Sequence, residues 1–211
     1  MKPVLWDYWR SSASYRVRIA LNLKGIEYES RPVDLLAGAQ SAAENLGRNP
    51  QGLVPTLEID GLVLTQSLAI CEYLDETRPA APFLPPDPAG RRRVRAIAHA
   101  IAMEIAPICN MSPARHATGG APDAMKAWMD HFIGKGLVGV EAMVAEGRAG
   151  GFAHGDAPGL ADIVIAPQLY NARRWGVDLT PFPTLREIEA HCLHLNAFAA
   201  AEPDAVRPDA T

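Results

Sequence analysis

The chain has few cysteines: Cys71, Cys109 and Cys192 lie far apart and form no Cys-x-x-Cys pair. That excludes a disulfide framework and a dithiol redox motif, and free thiols in a reducing compartment fit better than a zinc site. Long hydrophobic runs are also missing. No stretch approaches the ~20 apolar residues of a membrane-spanning helix, because charges or prolines interrupt every candidate. Asp7 and Arg10 come too early for the apolar centre of a secretion signal. The chain is therefore expected to begin near Met1 and to stay in the cytoplasm, away from membranes. There is no excess of positive charge either: 20 Lys and Arg stand against 24 Asp and Glu, for a net charge of −4. Such a surface offers no global field to attract nucleic acid. Neither a Gly-x-Ser-x-Gly elbow nor a Ser-His-Asp order supports a hydrolase. His191 and His194 lie three apart with only Cys192 nearby, so no metal site is expected.

What remains is a chain of 211 residues, 48% hydrophobic, long enough to bury a real core. Its first eighty residues alternate between strand-like and helix-like stretches. Residues 3–9 are short, apolar and aromatic, and predict a buried strand. Residues 11–24 have helical spacing and end at Gly25. Residues 28–35 read as an edge strand, because Pro32 lacks a donor. A short helix is expected within 40–46. Two further strands, 53–59 and 62–64, meet at Asp60-Gly61, a strong hairpin signal. Residues 66–77 close the set as a helix.

The order strand, helix, strand, helix, strand, strand, helix predicts a mixed α/β sheet with helices on its faces. Five prolines between 79 and 88 then forbid helix and mark a linker over 81–88. Beyond it, residues 89–110, 123–146, 160–175 and 184–201 have helical length and periodicity, which predicts an all-helical domain over 89–211. The arginine run 91–95 reads as a solvated face rather than a nucleic-acid site.

Three short segments suggest chemistry. Residues 10–14, Arg-Ser-Ser-Ala-Ser, sit where the first helix begins, and a helix N-terminus with hydroxyls beside it stabilises an anion. Taken alone, a serine there reads as a cap. Val54-Pro55 opens a strand; a cis bond would turn the Val54 main chain toward a ligand, although only ~5–6% of such bonds are cis. Gln66-Ser67 begins the last helix of the set, where amides and a hydroxyl suit a carboxylate. In a thioredoxin-like sheet the three segments line one cleft. A ligand matching them has an anion at one end, a carboxylate at the other and peptide-like atoms between, which is the layout of glutathione.

Residues 11–25 (SSASYRVRIALNLKG), 49–57 (NPQGLVPTL), 65–76 (TQSLAICEYLDE) and 171–185 (NARRWGVDLTPFPTL) resemble the zeta class of glutathione S-transferases, which includes maleylacetoacetate isomerase. The resemblance runs over nearly the whole chain. It implies a thioredoxin-like domain over 1–80 with a four-stranded mixed sheet, an all-α domain over 89–211 and a homodimer. It also implies that Ser11, or Ser14 from the same turn, steadies the glutathione thiolate, with Ser12, Ala13 and Ser14 lining that helix start and Arg10 joining the two serines as a catalytic candidate. Val54 would pair with the cysteinyl part beside a cis Pro55, Gln66 and Ser67 would hold the γ-glutamyl end, and Gln40 would reach the glycyl end. Arg174 matches the arginine that binds a substrate carboxylate, and Arg10, beside the sulfur site, would bind the second. Asn110 is retained beside the acceptor pocket and is expected among the glutathione-binding residues.

Two places depart from the family pattern: Ala13, and residues 106–111, where Cys109 and Met111 alter a wall of the acceptor pocket. Ala13 replaces the motif cysteine, which removes chemistry needing that thiol but not chemistry using the sulfur of glutathione. Relatives that isomerise maleylpyruvate share that loss, while the missing arginines after Asn110 argue against a maleylpyruvate specialist. The implied activity is glutathione-dependent cis–trans isomerisation of a maleyl diacid, most directly maleylacetoacetate. The alternatives are maleylpyruvate isomerisation and glutathione transfer to, or dehalogenation of, small α-halo acids.

Overall fold

A computed structural model describes residues 1–208. The chain divides into two compact units, one formed by Met1–Phe83 with the chain from Leu195 onward, the other by Leu84–His194.

The first unit is built on a four-stranded sheet in the order β2-β1-β3-β4. Strand β1 (Val4–Asp7) pairs in parallel with β2 (Glu29–Pro32) and antiparallel with β3 (Thr56–Ile59), which pairs antiparallel with β4 (Leu62–Thr65). The parallel pair needs a crossover, and helix α1 (Ser12–Leu23) supplies it. Asp60 and Gly61 both have positive φ, 54° and 77°, as a two-residue hairpin turn requires. Leu5 and Leu57 on the sheet are fully buried, as are Val17, Ile19, Ala20 and Leu21 of α1 and Ile70, Cys71 and Leu74 of α3 (Ser67–Thr77). A 3-10 turn (Ala39–Ser41) and helix α2 (Ala43–Arg48) stand where a single short helix is expected.

Polar contacts close this unit. Arg18, 1% exposed, pairs with Asp7 at 2.7 Å and also donates to the carbonyls of Trp9 and Ala201. Lys24 Nζ donates to Asp75 and to the carbonyls of Arg78, Ala80 and Ala81, so one cation satisfies the end of α3 and the turn after it. The segment from Leu195 belongs here and not with the all-helical domain expected over 89–211. Its carbonyls at Ala197, Phe198 and Ala201 accept from Asn22, Tyr15 and Arg18. Accordingly the helix expected over 184–201 is broken after residue 193 into α9 (Pro183–Leu193) and α10 (Asn196–Ala199).

The second unit is helical. Helix α4 (Pro88–His99) passes into a π-helical segment (Ala100–Ile105) and the single turn α5 (Ala106–Ile108). Pro107, with no N–H for the carbonyl four residues earlier, follows that segment. A Cβ on Gly136 would lie 2.4 Å from Ile105 Cγ1, so only glycine lets the π segment pack there. Helices α6 (Met111–Thr118), α7 (Pro122–Ala145) and α8 (Leu160–Trp175) follow, and α8 is buried along most of its length. Asp162 fixes its start by accepting from the amides of Ala153 and Gly159, both at 2.8 Å. The arginine run is not simply a solvated face: Arg93 donates to the carbonyls of Met143, Val144, Glu146 and Ala153, which caps the end of α7.

Candidate functional site

The ladder register of the first unit brings three segments to one end of the sheet. Trp6 of β1 faces Thr56 of β3, and Thr56 faces Thr65 of β4. The chain leaving β1, the chain entering β3 and the chain leaving β4 therefore emerge side by side. They carry residues 10–14, Val54-Pro55 and Gln66-Ser67.

Ser11 is the N-cap of α1, with extended backbone at φ −72° and ψ 123°. Its Oγ accepts the Ser14 amide N–H at 3.2 Å, so the hydroxyl proton remains available to a ligand. No acidic residue occupies the first turn of α1, where the helix presents its positive end. Ser12 and Ala13 are half-buried in that turn, whereas Ser14 is fully buried and its hydroxyl has no partner. The Arg10 guanidinium lies 5.1 Å over the Trp9 ring, and its buried Nε is unpartnered.

The Val54-Pro55 bond is cis, as the family resemblance implies and local odds do not. Among the described residues, neither main-chain group of Val54 takes part in a turn or loop hydrogen bond. Asn49 shapes the preceding turn: its Oδ1 accepts from the Gln51 amide and its Nδ2 donates to the Leu53 carbonyl. Gly52 needs its φ of +63°, and a Cβ there would meet the Gln40 carbonyl at 3.3 Å. Gln40 Oε1 is buried without a partner.

Gln66 caps α3 from a sparsely populated backbone conformation, φ 68° and ψ 110°, of the kind that clusters at binding sites. Its side-chain amide donates to Gln51 Oε1 at 2.7 Å. Ser67, 7% exposed, is the first residue of α3, and its Oγ accepts from Arg16 Nη1 at 3.3 Å. As at α1, the first turn of α3 carries no acid.

Arg174 and Asn110 belong to the second unit. Arg174 is exposed in the last turn of α8, its guanidinium 5.1 Å over the Trp175 ring. Asn110 caps α6, its Oδ1 accepting the Met111 amide at 3.1 Å.

The protein's own thiols are unsuited to nucleophilic work. Burial pushes the Cys71 thiol up to about 12 and Cys109 up to about 11, and burial likewise raises Cys192. Arg16, Asn49 and Gln51 are the contributors that residue-by-residue reading did not single out. Arginine at a buried helix position, within Tyr-Arg-Val-Arg, was the available signal for the first of them.

Residues 1–76 match the family "Glutathione S-transferase, N-terminal domain". A maleylacetoacetate isomerase of Rhizobium meliloti (strain 1021) is 55% identical over 98% of this chain and 99% of its own. The holo structure of a maleyl pyruvate isomerase, a bacterial zeta-class glutathione S-transferase, superposes with a TM-score of 0.94 at 42% identity, covering 99% of this chain and 100% of that one. The maleylacetoacetate isomerase of Anaeromyxobacter dehalogenans 2CP-1, solved with glutathione bound in the active site, has a TM-score of 0.89 at 47% identity over 100% of this chain and 98% of its own. That protein was also solved with dicarboxyethyl glutathione and citrate in the active site. The chain belongs to the zeta-class glutathione S-transferase and maleylacetoacetate isomerase family.

Proposed function

We propose that the protein is a glutathione-dependent cis–trans isomerase of a maleyl diacid, with maleylacetoacetate as the leading substrate. The observation that carries this reading is the pair of helix starts, each offering a hydroxyl proton and no acidic residue, on either side of an unpaired Val54 main chain. Buried thiols of the protein leave the nucleophile to be brought by the ligand.

The donors and acceptors fit glutathione. Ser67 and the start of α3 suit the γ-glutamyl carboxylate, with Gln66 beside them. Val54 suits the cysteinyl peptide unit beside Pro55, and Gln40 lies toward the glycyl end. When bound, glutathione supplies a nucleophilic sulfur that turns the substrate's double bond into a rotatable single bond and is released unchanged.

This chain's residues make that sulfur reactive at neutral pH. A free thiol has a pKa near ~8.5, so only a few per cent is ionised at pH 7. The Ser11 hydroxyl and the positive end of α1, at Ser12 and Ala13, hold negative charge and lower that value. Ser11 carries this role rather than Ser14, whose hydroxyl is fully buried. Arg10 binds one substrate carboxylate and, by match of motif, Arg174 binds the other, while Asn110 lines the acceptor side. Support for diacid chemistry comes from the dicarboxyethyl group found on glutathione in the Anaeromyxobacter relative. It has the skeleton formed when a thiol adds across a butenedioic acid.

Maleylpyruvate is the second reading, favoured by the TM-score of 0.94 to a maleyl pyruvate isomerase. We further infer a homodimer in the cytoplasm. The exposed Leu62 and Val63 of edge strand β4 suit contact with a second copy, and three free cysteines suit a reducing compartment. Among the described residues no helix is long and apolar enough to cross a membrane.

A spectrophotometric assay of both maleyl substrates, with and without glutathione, tests the reading. Trans product with an undiminished thiol pool supports an isomerase. Stoichiometric loss of thiol would replace it with a transferase or dehalogenase.

A further inference from the structure

Two arginines of α1 are buried in opposite circumstances. Arg18, 1% exposed, has the Asp7 carboxylate at 2.7 Å and two carbonyls as further acceptors. Arg16, 3% exposed, has the Ser67 hydroxyl at 3.3 Å and nothing else: its Nε and Nη2 are buried without partners. Among the described residues no carboxylate forms an ion pair with it. Burial draws its guanidinium down to about 10, so it remains charged at neutral pH. The neighbouring Cys71 is no counter-ion, because burial holds its thiol neutral up to about 12. An uncompensated charge in an apolar interior is costly unless an anion is brought to it.

Its one hydrogen bond points to where that anion belongs. Ser67 Oγ accepts from Arg16, which leaves the Ser67 proton as the group offered outward. Ser67 also opens α3, an eleven-residue helix with no acid in its first turn. A fixed O–H donor, first-turn amides and a buried cation behind them all favour negative charge at one place.

We propose that Arg16 is a positioning residue that orients the Ser67 hydroxyl and makes the start of α3 a subsite requiring an anion, the ligand's carboxylate serving as its missing counter-ion. This rests on the glutathione reading, in which that carboxylate is the one on the γ-glutamyl residue. Arg16 touches no ligand; it acts through Ser67 and through its field.

Calorimetric titration tests this with two ligands: glutathione, and the analogue carrying 4-aminobutyryl in place of γ-glutamyl, which lacks only that carboxylate. Arg16→Gln is expected to weaken glutathione about tenfold or more, while the analogue changes by less than about twofold. Equal weakening of both ligands, or of neither, would overturn the proposal. Should Arg16→Gln fail to fold, the Arg16 Nε–H resonance of the unaltered protein gives the readout. It is expected to shift with glutathione and not with the analogue, and the same response to both would overturn the assignment. Binding of neither ligand by the unaltered protein would sink the glutathione reading itself, and this inference with it.

Discussion

Ser11 Oγ accepts the Ser14 amide N–H at 3.2 Å, so a single hydroxyl both caps α1 and keeps its proton for a ligand. The two duties separate by mutation. Ser11→Ala removes both, and is expected to lower stability by about 1 kcal/mol. Its turnover at saturating glutathione should fall by roughly a hundredfold, the scale of losing one oxyanion donor. Ser11→Asp keeps a good cap but sets a carboxylate against the sulfur, so urea unfolding should match the unaltered protein while turnover is lost. Unchanged turnover in Ser11→Ala would remove this residue from the mechanism.

The proposed function gives Arg174 a substrate carboxylate to bind, and charge discrimination is the signature of that role. Arg174→Ala should raise the Michaelis constant for a maleyl diacid by about tenfold or more, consistent with one lost charge-assisted contact. An uncharged electrophile should be affected far less. A matching rise for both substrates would place Arg174 outside the binding role.

Asp162 gives the helical unit a pH dependence. Burial pushes its carboxyl from 3.8 up to about 6, against the opposing pull of the Ala153 and Gly159 amides. The folded state thus holds a proton between those values that the unfolded state has released. Its contribution is fully present below 3.8 and is lost as pH rises through about 6. Unfolding midpoints measured across that window should fall with rising pH. Asp162→Asn should flatten the slope and cost about 1 kcal/mol by losing one of two acceptors.

All three cysteines are buried with raised thiols. An aromatic disulfide reagent should find almost no reactive thiol in the folded protein and three after denaturation. A fast-reacting thiol in the native state would show that one of these sites opens.

The parts of the fold that were legible rest on local pattern. Asp60-Gly61 announced the hairpin, Pro32 the edge strand, and residues 11–24 the crossover helix. The rest depends on tertiary partners. Phe198, fully buried in the first unit, looks like the end of a helix in sequence, because its periodicity continues from 184. Helix α6 is not legible in the sequence although Asn110 is a good cap, since Pro113 in its first turn reads as a breaker when its position is unknown. Local chemistry weighed against a cis Val54-Pro55, and only the family resemblance argued for it. Arg16 and Arg18 are indistinguishable in the string Arg-Val-Arg; which of them finds a carboxylate is decided by the sheet beneath, where Asp7 lies.

The most direct measurement is an ultraviolet titration of the thiol of glutathione bound to the protein. A bound pKa at least about one unit below the free value of ~8.5, returning toward it in Ser11→Ala, is the predicted result. A bound thiol that ionises as it does in water, with or without Ser11, would contradict the account.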